Sequence, residues 1–226
     1  LPELKKHLYY FADSPNDIVY HCDLYYKPHL KQWGFSLPYN VYKELAEGDY
    51  EIELVAHHTD GQMKVLEYTH QGASESTIIL NAHNCHAAQL NDGPSGYAVG
   101  IEVMRRLKEL KTKTKYSYRL IVAPEHFGTV FYLADLPIEE IRKFKLGIFL
   151  EMLGNDKPFS LQESFTGKSY IDTVAYHVLK HQTPDFRNDT FRKVVGNDES
   201  VWEAPGYEVP MISLSRCAHG RLYPEY

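Results

Sequence analysis

The stretch TIILNAHNCHAAQLNDGPSG occupies residues 77–96. Its first four residues, Thr77 to Leu80, are an unbroken apolar and β-branched run, the mark of a strand covered on both faces. A polar loop follows. Pro94-Ser95-Gly96 then opens a helix that carries Val99, Val103, Leu107 and Leu110 on one face. Strand, polar loop and helix in that order form one unit of a parallel sheet.

The same alternation continues downstream. Residues 118–123 read as a strand, 126–135 as a helical stretch, and Pro137 leads into a short helix at 138–144. The buried-type strand Leu146-Gly147-Ile148-Phe149-Leu150 comes next. A helix over 170–181, with Ile171, Val174, Val178 and Leu179 in register, precedes strands expected at Lys193–Val195 and Val209–Leu214. Upstream the pattern differs. LPELKKHLYYF at the start has helical spacing, and Ser14-Pro15-Asn16-Asp17 reads as a turn. Tyr50–Leu54 alternates, Thr59-Asp60-Gly61 is a turn signal, and Met63–Tyr68 alternates again, which predicts a β-hairpin. The expected organisation is an α/β domain over 1–19 and 73–226, with a mostly parallel central sheet flanked by helices, and a small β-rich inserted subdomain over 20–72. The pattern is open at Leu1 and at Tyr226, as in a piece of a longer protein.

Composition narrows the function classes. In 226 residues, 43% are hydrophobic and 24% charged, the balance of an ordinary globular protein. The formal charge is −6, and the densest basic stretch is KELKTKTK at 108–115, so nucleic acid is not an expected partner. No apolar run approaches the roughly 18 residues of a membrane span. Cys22, Cys85 and Cys217 are odd in number and far apart, which fits a reducing compartment and predicts a cytoplasmic protein. The 18 tyrosines are read as half-buried packing residues, and homo-oligomerisation is left open.

Three of the strands run into residues able to bind metal or move protons, and in open α/β sheets the ligand crevice lies at the carboxyl ends of strands. The first leads to His83, Cys85, His86 and Asp92, the second to Glu125 and His126, the third to Glu151. Imidazole and carboxylate together suit zinc. A carboxylate outside the metal shell, here Glu125, would take a proton from the attacking water. Asp92 has two oxygens and could bridge a pair of ions. Duller roles exist for each: Asp92 as a helix cap, Glu125 as a first-turn acid, each histidine as a hydrogen-bonded structural residue. Glu151 is harder to set aside, because an unpaired carboxylate after Gly147–Leu150 would be costly without a cation. A zinc knuckle from His83, Cys85 and His86 lacks a second cluster at finger spacing.

IILNAHNC, LNDGPSGYAVGIEVMRRL, VAPEHFGT and FLEMLGN, in that order, resemble the zinc aminopeptidase and glutaminyl-cyclase superfamily, and within it a bacterial aminopeptidase-like subfamily with an inserted small β domain. KQWGFSLPYN, GDYEIELVAH and VVGNDESVWEAPGYEVPMISLSR extend the resemblance over nearly the whole chain. It implies one or two zinc ions, His83 as the first ligand, Asp92 as the bridge, Glu151 as a further ligand and Glu125 as general base. His126 stands where a second acid would bind the second ion, and Cys85 where an aspartate would orient the first histidine. His86 competes with His83 for the role of first ligand, with His83 favoured. A last histidine ligand is implied beyond Pro224-Glu225-Tyr226. Asn197, Asp198 and Glu199 fall in a loop that shapes the substrate pocket in relatives, where Glu199 could receive a substrate amine. The implied activity is zinc-dependent hydrolysis of a terminal amide or peptide bond. The rivals are an inactive metal- or ligand-binding relative and an amide hydrolase or cyclase acting on a small modified sugar or amino-acid conjugate.

Overall fold

The computed structural model describes residues 1–19, 29–30, 32–57, 59–86 and 89–217. The chain divides into two compact units, Leu1–Asp60 and Gly61–Tyr226.

The first unit holds α1 (Pro2–Lys5), β1 (Leu8–Tyr9), β2 (Phe35–Ser36) and α2 (Tyr39–Glu44). The helix expected over LPELKKHLYYF stops at Lys5. Beyond it the backbone of His7 and Tyr9 accepts hydrogen bonds from Phe35 and Leu37, and β1 pairs in parallel with β2. The His7 ring stacks on Trp33 with centroids 3.8 Å apart. Long-range pairing and ring stacking outweigh the helical spacing, as they commonly do for tyrosine-rich segments. The predicted hairpin does not form either. Residues 51–57 carry no strand and are exposed on both sides, so their alternation has no face to bury. Its second arm goes elsewhere: residues 66–70 join the sheet of the second unit. Of the β-rich subdomain expected over 20–72, residues 20–28 lie outside the described residues.

The second unit is built on a seven-stranded sheet of β3 (Leu66–His70), β4 (Thr77–His83), β5 (Ser117–Ala123), β6 (Phe144–Leu150), β7 (Phe159–Gln162), β8 (Arg187–Asp189) and β9 (Met211–Arg216), ordered β3-β5-β4-β6-β9-β7-β8. The central pairs β5/β4, β4/β6 and β6/β9 are parallel, as is β7/β8; β3/β5 and β7/β9 are antiparallel. The mostly parallel sheet expected from the strand–helix alternation is therefore present, with an antiparallel edge strand at β3.

Helices cover both faces. Alternate residues of each strand point to opposite sides. Leu80, Ala82, Leu120 and Leu150 pack with Met104 of α3 (Pro94–Glu109), and on the same face Leu161 and Ile212 pack under Ile171 and Leu179 of α6 (Tyr170–Gln182). Ile79, Ile121, Phe149 and Met211 face the other way, onto Leu133 of α4 (Phe127–Asp135), Ile141 of α5 (Ile138–Ile141) and Trp202 of α7 (Glu199–Trp202). Fully burying a leucine, isoleucine, phenylalanine or methionine of this set contributes roughly 1.5–3 kcal/mol. α3 lies so close to β6 that a Cβ at Gly96 would overlap the carbonyl of Leu150.

β7 and β8 have no counterpart among the strands expected from the sequence, and the strand expected at Lys193–Val195 is absent. Val194 and Val195 are buried, but their N–H groups both donate to the side-chain oxygen of Gln162, 2.9 Å each, in place of a ladder. Among the described residues, no helix is long and apolar enough to cross a membrane.

Candidate metal centre

β4 delivers His83 at its last position, with no exposed surface. Residues 79, 81 and 83 share a face, so the imidazole lies on the side of Phe149, against whose ring it stacks at 5.9 Å. Its Nε2 is 2.8 Å from Glu151 Oε2 and 3.1 Å from Asp92 Oδ1. Glu151 follows directly on β6 and Asp92 directly precedes the turn into α3. The ligand atoms of His83, Asp92 and Glu151 lie within 4.8 Å of one another.

The backbone turns sharply after each carboxylate. Gly93 follows Asp92 at φ 72°, His126 follows Glu125 at φ 54°, and Met152 follows Glu151 at φ 44°. For His126 and Met152 a left-handed backbone costs of order 1–3 kcal/mol, held in place by the surrounding packing. At Gly93 a side chain would also press on the His83 carbonyl, which lies 2.8 Å from where a Cβ would stand. Glycine is the residue that fits there.

The other expected residues divide. His86 Nε2 sits 3.1 Å from Asp92 Oδ2, so the two histidines take opposite oxygens of one carboxylate. Glu125 accepts from the Cys85 thiol at 2.9 Å through Oε2 and from Asn197 Nδ2 at 2.6 Å through Oε1. His126 is not drawn into the His83–Asp92–Glu151 group. Its ring is partly exposed, with Nδ1 3.9 Å from Asp198 Oδ1. Asp198 and Glu199, expected to face a substrate, have no exposed surface. Asp198 accepts from the His126 N–H at 2.6 Å and the Thr129 hydroxyl at 3.0 Å, bracing the turn after Glu125. Glu199 accepts from the Asn197 N–H at 2.9 and 3.1 Å and from Gln162 Nε2 at 3.3 Å. Both acids are buried and hold the loop together through these hydrogen bonds.

Three neutral amides complete the surroundings: Asn197, which the sequence places in the pocket loop without a role of its own, and Gln89 and Gln162, which it does not mark. Gln89 donates to Asp92 Oδ2 at 3.3 Å and accepts from the Cys85 N–H at 3.1 Å, closing the loop between β4 and α3. Neutral amides have no pattern of their own in a sequence; only Asn197's place beside two acids marks its loop.

The electrostatics show what the pocket favours. Burial presses the His83 imidazolium down, but Glu151 and Asp92 outweigh it and hold its pKa well above the ordinary value. Burial pushes Glu151 up to about 7, against the pull of His83. Burial and the Glu125 carboxylate push the Cys85 thiol up, so it remains a hydrogen-bond donor. The rise at His83 shows the two carboxylates favouring a cation beside them, while the rise at Glu151 is the cost of its burial. His83 Nδ1 and Glu151 Oε1 are buried with no hydrogen-bond partner among the described residues. Buried polar atoms are rarely left so. One imidazole and two carboxylates suit a divalent ion of the zinc type, which keeps a further position open at catalytic sites.

Residues 24–226 match the protein family described as "Domain of unknown function (DUF4910)". The chain belongs to that family. A Clostridium acetobutylicum protein named for polysaccharide biosynthesis, with an aminopeptidase-like domain, is 32% identical over 220 residues, which is 97% of this chain and 49% of that protein. The crystal structure of a C. acetobutylicum protein described as a candidate peptidase superposes with a TM-score of 0.84 at 29% identity, over 96% of this chain and 50% of that one. A zinc aminopeptidase from Bacillus subtilis superposes with a TM-score of 0.59 at 15% identity, over 72% of this chain and 42% of that one. An Aneurinibacillus aminopeptidase gives 0.55 at 18%, over 68% and 39%. This DUF4910 chain thus has the fold of the zinc aminopeptidases and spans about half the length of the curated relative it matches.

Proposed function

We propose that this chain carries the core of a metal-dependent hydrolase that cleaves a terminal amide or peptide bond, with zinc held by His83, Asp92 and Glu151 and with Glu125 as general base. The observation that carries the reading is the pairing of two carboxylates of different kind in one pocket. Glu151 is buried against His83 and Asp92, while Glu125, which with His83 and Cys85 forms a second group of possible ligands, is less buried and is oriented by the neutral donors Cys85 and Asn197. A divalent ion in such a site supplies an acidified water and polarises the carbonyl under attack. Glu125 takes the proton of the attacking water and returns it to the departing amine. Neutral donors suit that role, because they orient the carboxylate without cancelling its charge. His86 on the second oxygen of Asp92 supports a place for a second ion.

The proposal includes a reducing, cytoplasmic setting, since Cys85 serves Glu125 as a thiol. The partner is a small substrate, a peptide or an amide conjugate. The name of the C. acetobutylicum relative favours a second reading of the substrate alone: an amide on a small sugar-type conjugate.

Zinc analysis and a panel of aminoacyl anilides and amide conjugates, run on wild type and Glu125→Gln, test the reading. The expected result is zinc in both proteins and a loss of turnover of about 10²–10⁴-fold in the variant. Zinc in both with no turnover by wild type would make the chain a binding relative. Failure of wild type to hold zinc would remove the centre itself.

A further inference from the structure

We propose that Asn197 is a positioning residue that ties the general base to the metal-ligand group, so that the pocket's affinity for its ion depends on this neutral amide. The inference rests on the reading of His83, Asp92 and Glu151 as ligands and of Glu125 as base.

Asn197 lies just before α7 and is buried. Its Nδ2 donates to Glu125 Oε1 at 2.6 Å and to Glu151 Oε2 at 3.2 Å, one N–H for each carboxylate. The orientation of the amide is fixed from its other end, because Oδ1 accepts the Asp198 N–H at 2.8 Å. The backbone is committed as well. The Asn197 N–H meets both oxygens of Glu199, and its carbonyl accepts from the Ser200 N–H at 3.0 Å and the Ser200 hydroxyl at 2.7 Å. One turn of helix further on, the Trp202 indole donates to Asn81 Oδ1 at 2.8 Å, which fastens the segment to β4 two residues before His83. Every hydrogen-bonding group of Asn197 therefore has a partner, and the side-chain amino group is aimed at the two acids.

The chemistry of the group is as telling as its position. A lysine or arginine between Glu125 and Glu151 would neutralise them and compete with a cation; an amide orients both and leaves their charge for the ion. Glu151 Oε2 also meets His83 Nε2, so loss of the amide frees that carboxylate to turn within the ligand group. Residues that orient metal ligands are worth about 10–100-fold in metal affinity when removed.

The test is zinc affinity of the purified chain, measured by competition with a chromophoric chelator, for wild type, Asn197→Ala and Asn197→Ser. Unfolding of each metal-free protein is followed in parallel. Cobalt(II) replaces zinc in a second series, where its visible absorption reports the ligand arrangement directly. The expected result is a zinc Kd weakened about 10–100-fold in Asn197→Ala, with a smaller loss in Asn197→Ser and a shifted cobalt band in both. If Asn197→Ala does not fold, Asn197→Ser alone decides. A Kd within about twofold of wild type together with an unchanged cobalt band overturns the role of Asn197 and leaves the metal centre standing. Wild type that binds neither ion overturns the centre and this inference with it.

Discussion

Two charged clusters sit on the same face of the central strands, and they settle their charge in opposite ways. In the first, Arg119 of β5 donates to Glu140 at 2.6 Å and Tyr132 at 3.1 Å, lies 3.5 Å from Glu67, and stacks over Phe144 at 5.1 Å. Lys143 adds a second cation 3.0 Å from Glu140. Lys143 and Arg119 hold the Glu140 carboxyl below its usual range against its modest burial. Four residues further along, where Ala123 pairs with His83, the carboxylates are buried with neutral partners and histidine. Among the described residues, no lysine or arginine reaches Glu125, Glu151, Asp198 or Glu199, and burial pushes Glu151 and Glu199 up to about 7. The Arg119 cluster carries its own counter-charge, two cations against two carboxylates, although the buried Arg119 Nε has no hydrogen-bond partner among the described residues. The His83 cluster, on the function proposed above, receives its counter-charge from outside the chain.

The largest expected effect separates the two clusters by metal. An ion that binds only the folded chain at about 100 times its Kd stabilises it by about 2.7 kcal/mol. For a chain of this size that is a rise in Tm of about 5–10 °C. Zinc titration followed by calorimetry should show this rise in wild type and in Arg119→Met, and should lose it in Glu151→Ala. An equal rise in Glu151→Ala would mean that the His83 cluster is no different from any other acidic surface. Next in size is the reverse experiment, without metal. Arg119→Met leaves Glu67, Glu140 and Tyr132 facing one another and should cost about 2 kcal/mol in urea unfolding, below the roughly 3–5 typical of a fully buried pair because Glu67 is 38% exposed. A cost near zero would show that the joint is decoration.

How much of this is legible in the sequence follows from the range of the signals. β4, α3 and β6 are written in local patterns, an unbroken apolar run or a helical stripe, so the strand ends that carry His83 and Glu151 can be read from the sequence alone. The turn after Asp92 is marked by its glycine. The hairpin expected over 50–68 fails because alternation does not name a partner, and residues 66–70 find β5 instead. The strand expected at 193–195 fails because a glutamine 32 residues away satisfies its N–H groups. Asn197 reaches Glu125 across 72 positions, a contact that no spacing rule anticipates. Asp198 and Glu199 stand out in the sequence as acids near the site, but their complete burial and their hydrogen bonds within the loop are properties of the folded chain.

The smallest effect tests whether such a brace carries the electrostatic cost that its burial implies. Glu199 ionises at about 4.5 when the chain is unfolded and at about 7 when folded, because burial outweighs the Asn197 and Gln162 hydrogen bonds. Below about pH 4.5 it is protonated in both states and costs nothing. As pH rises, the unfolded chain releases the proton first, so this group lowers stability progressively until about pH 7, where the folded chain releases it too. Urea unfolding of the metal-free chain should therefore weaken between about pH 5.5 and 7 by about 1–2 kcal/mol more in wild type than in Glu199→Gln. The readout is the difference in slope. Asp198, whose charge helps to raise the Glu199 carboxyl, is relieved of that repulsion in the variant, so the difference reports Glu199 together with this coupling. The absolute stability of the variant also reflects the altered contact with Gln162. Parallel pH profiles would mean that the hydrogen bonds from Asn197 and Gln162 offset the burial of Glu199 in full, and that the His83 cluster and its braces differ from the Arg119 joint in wiring but not in charge.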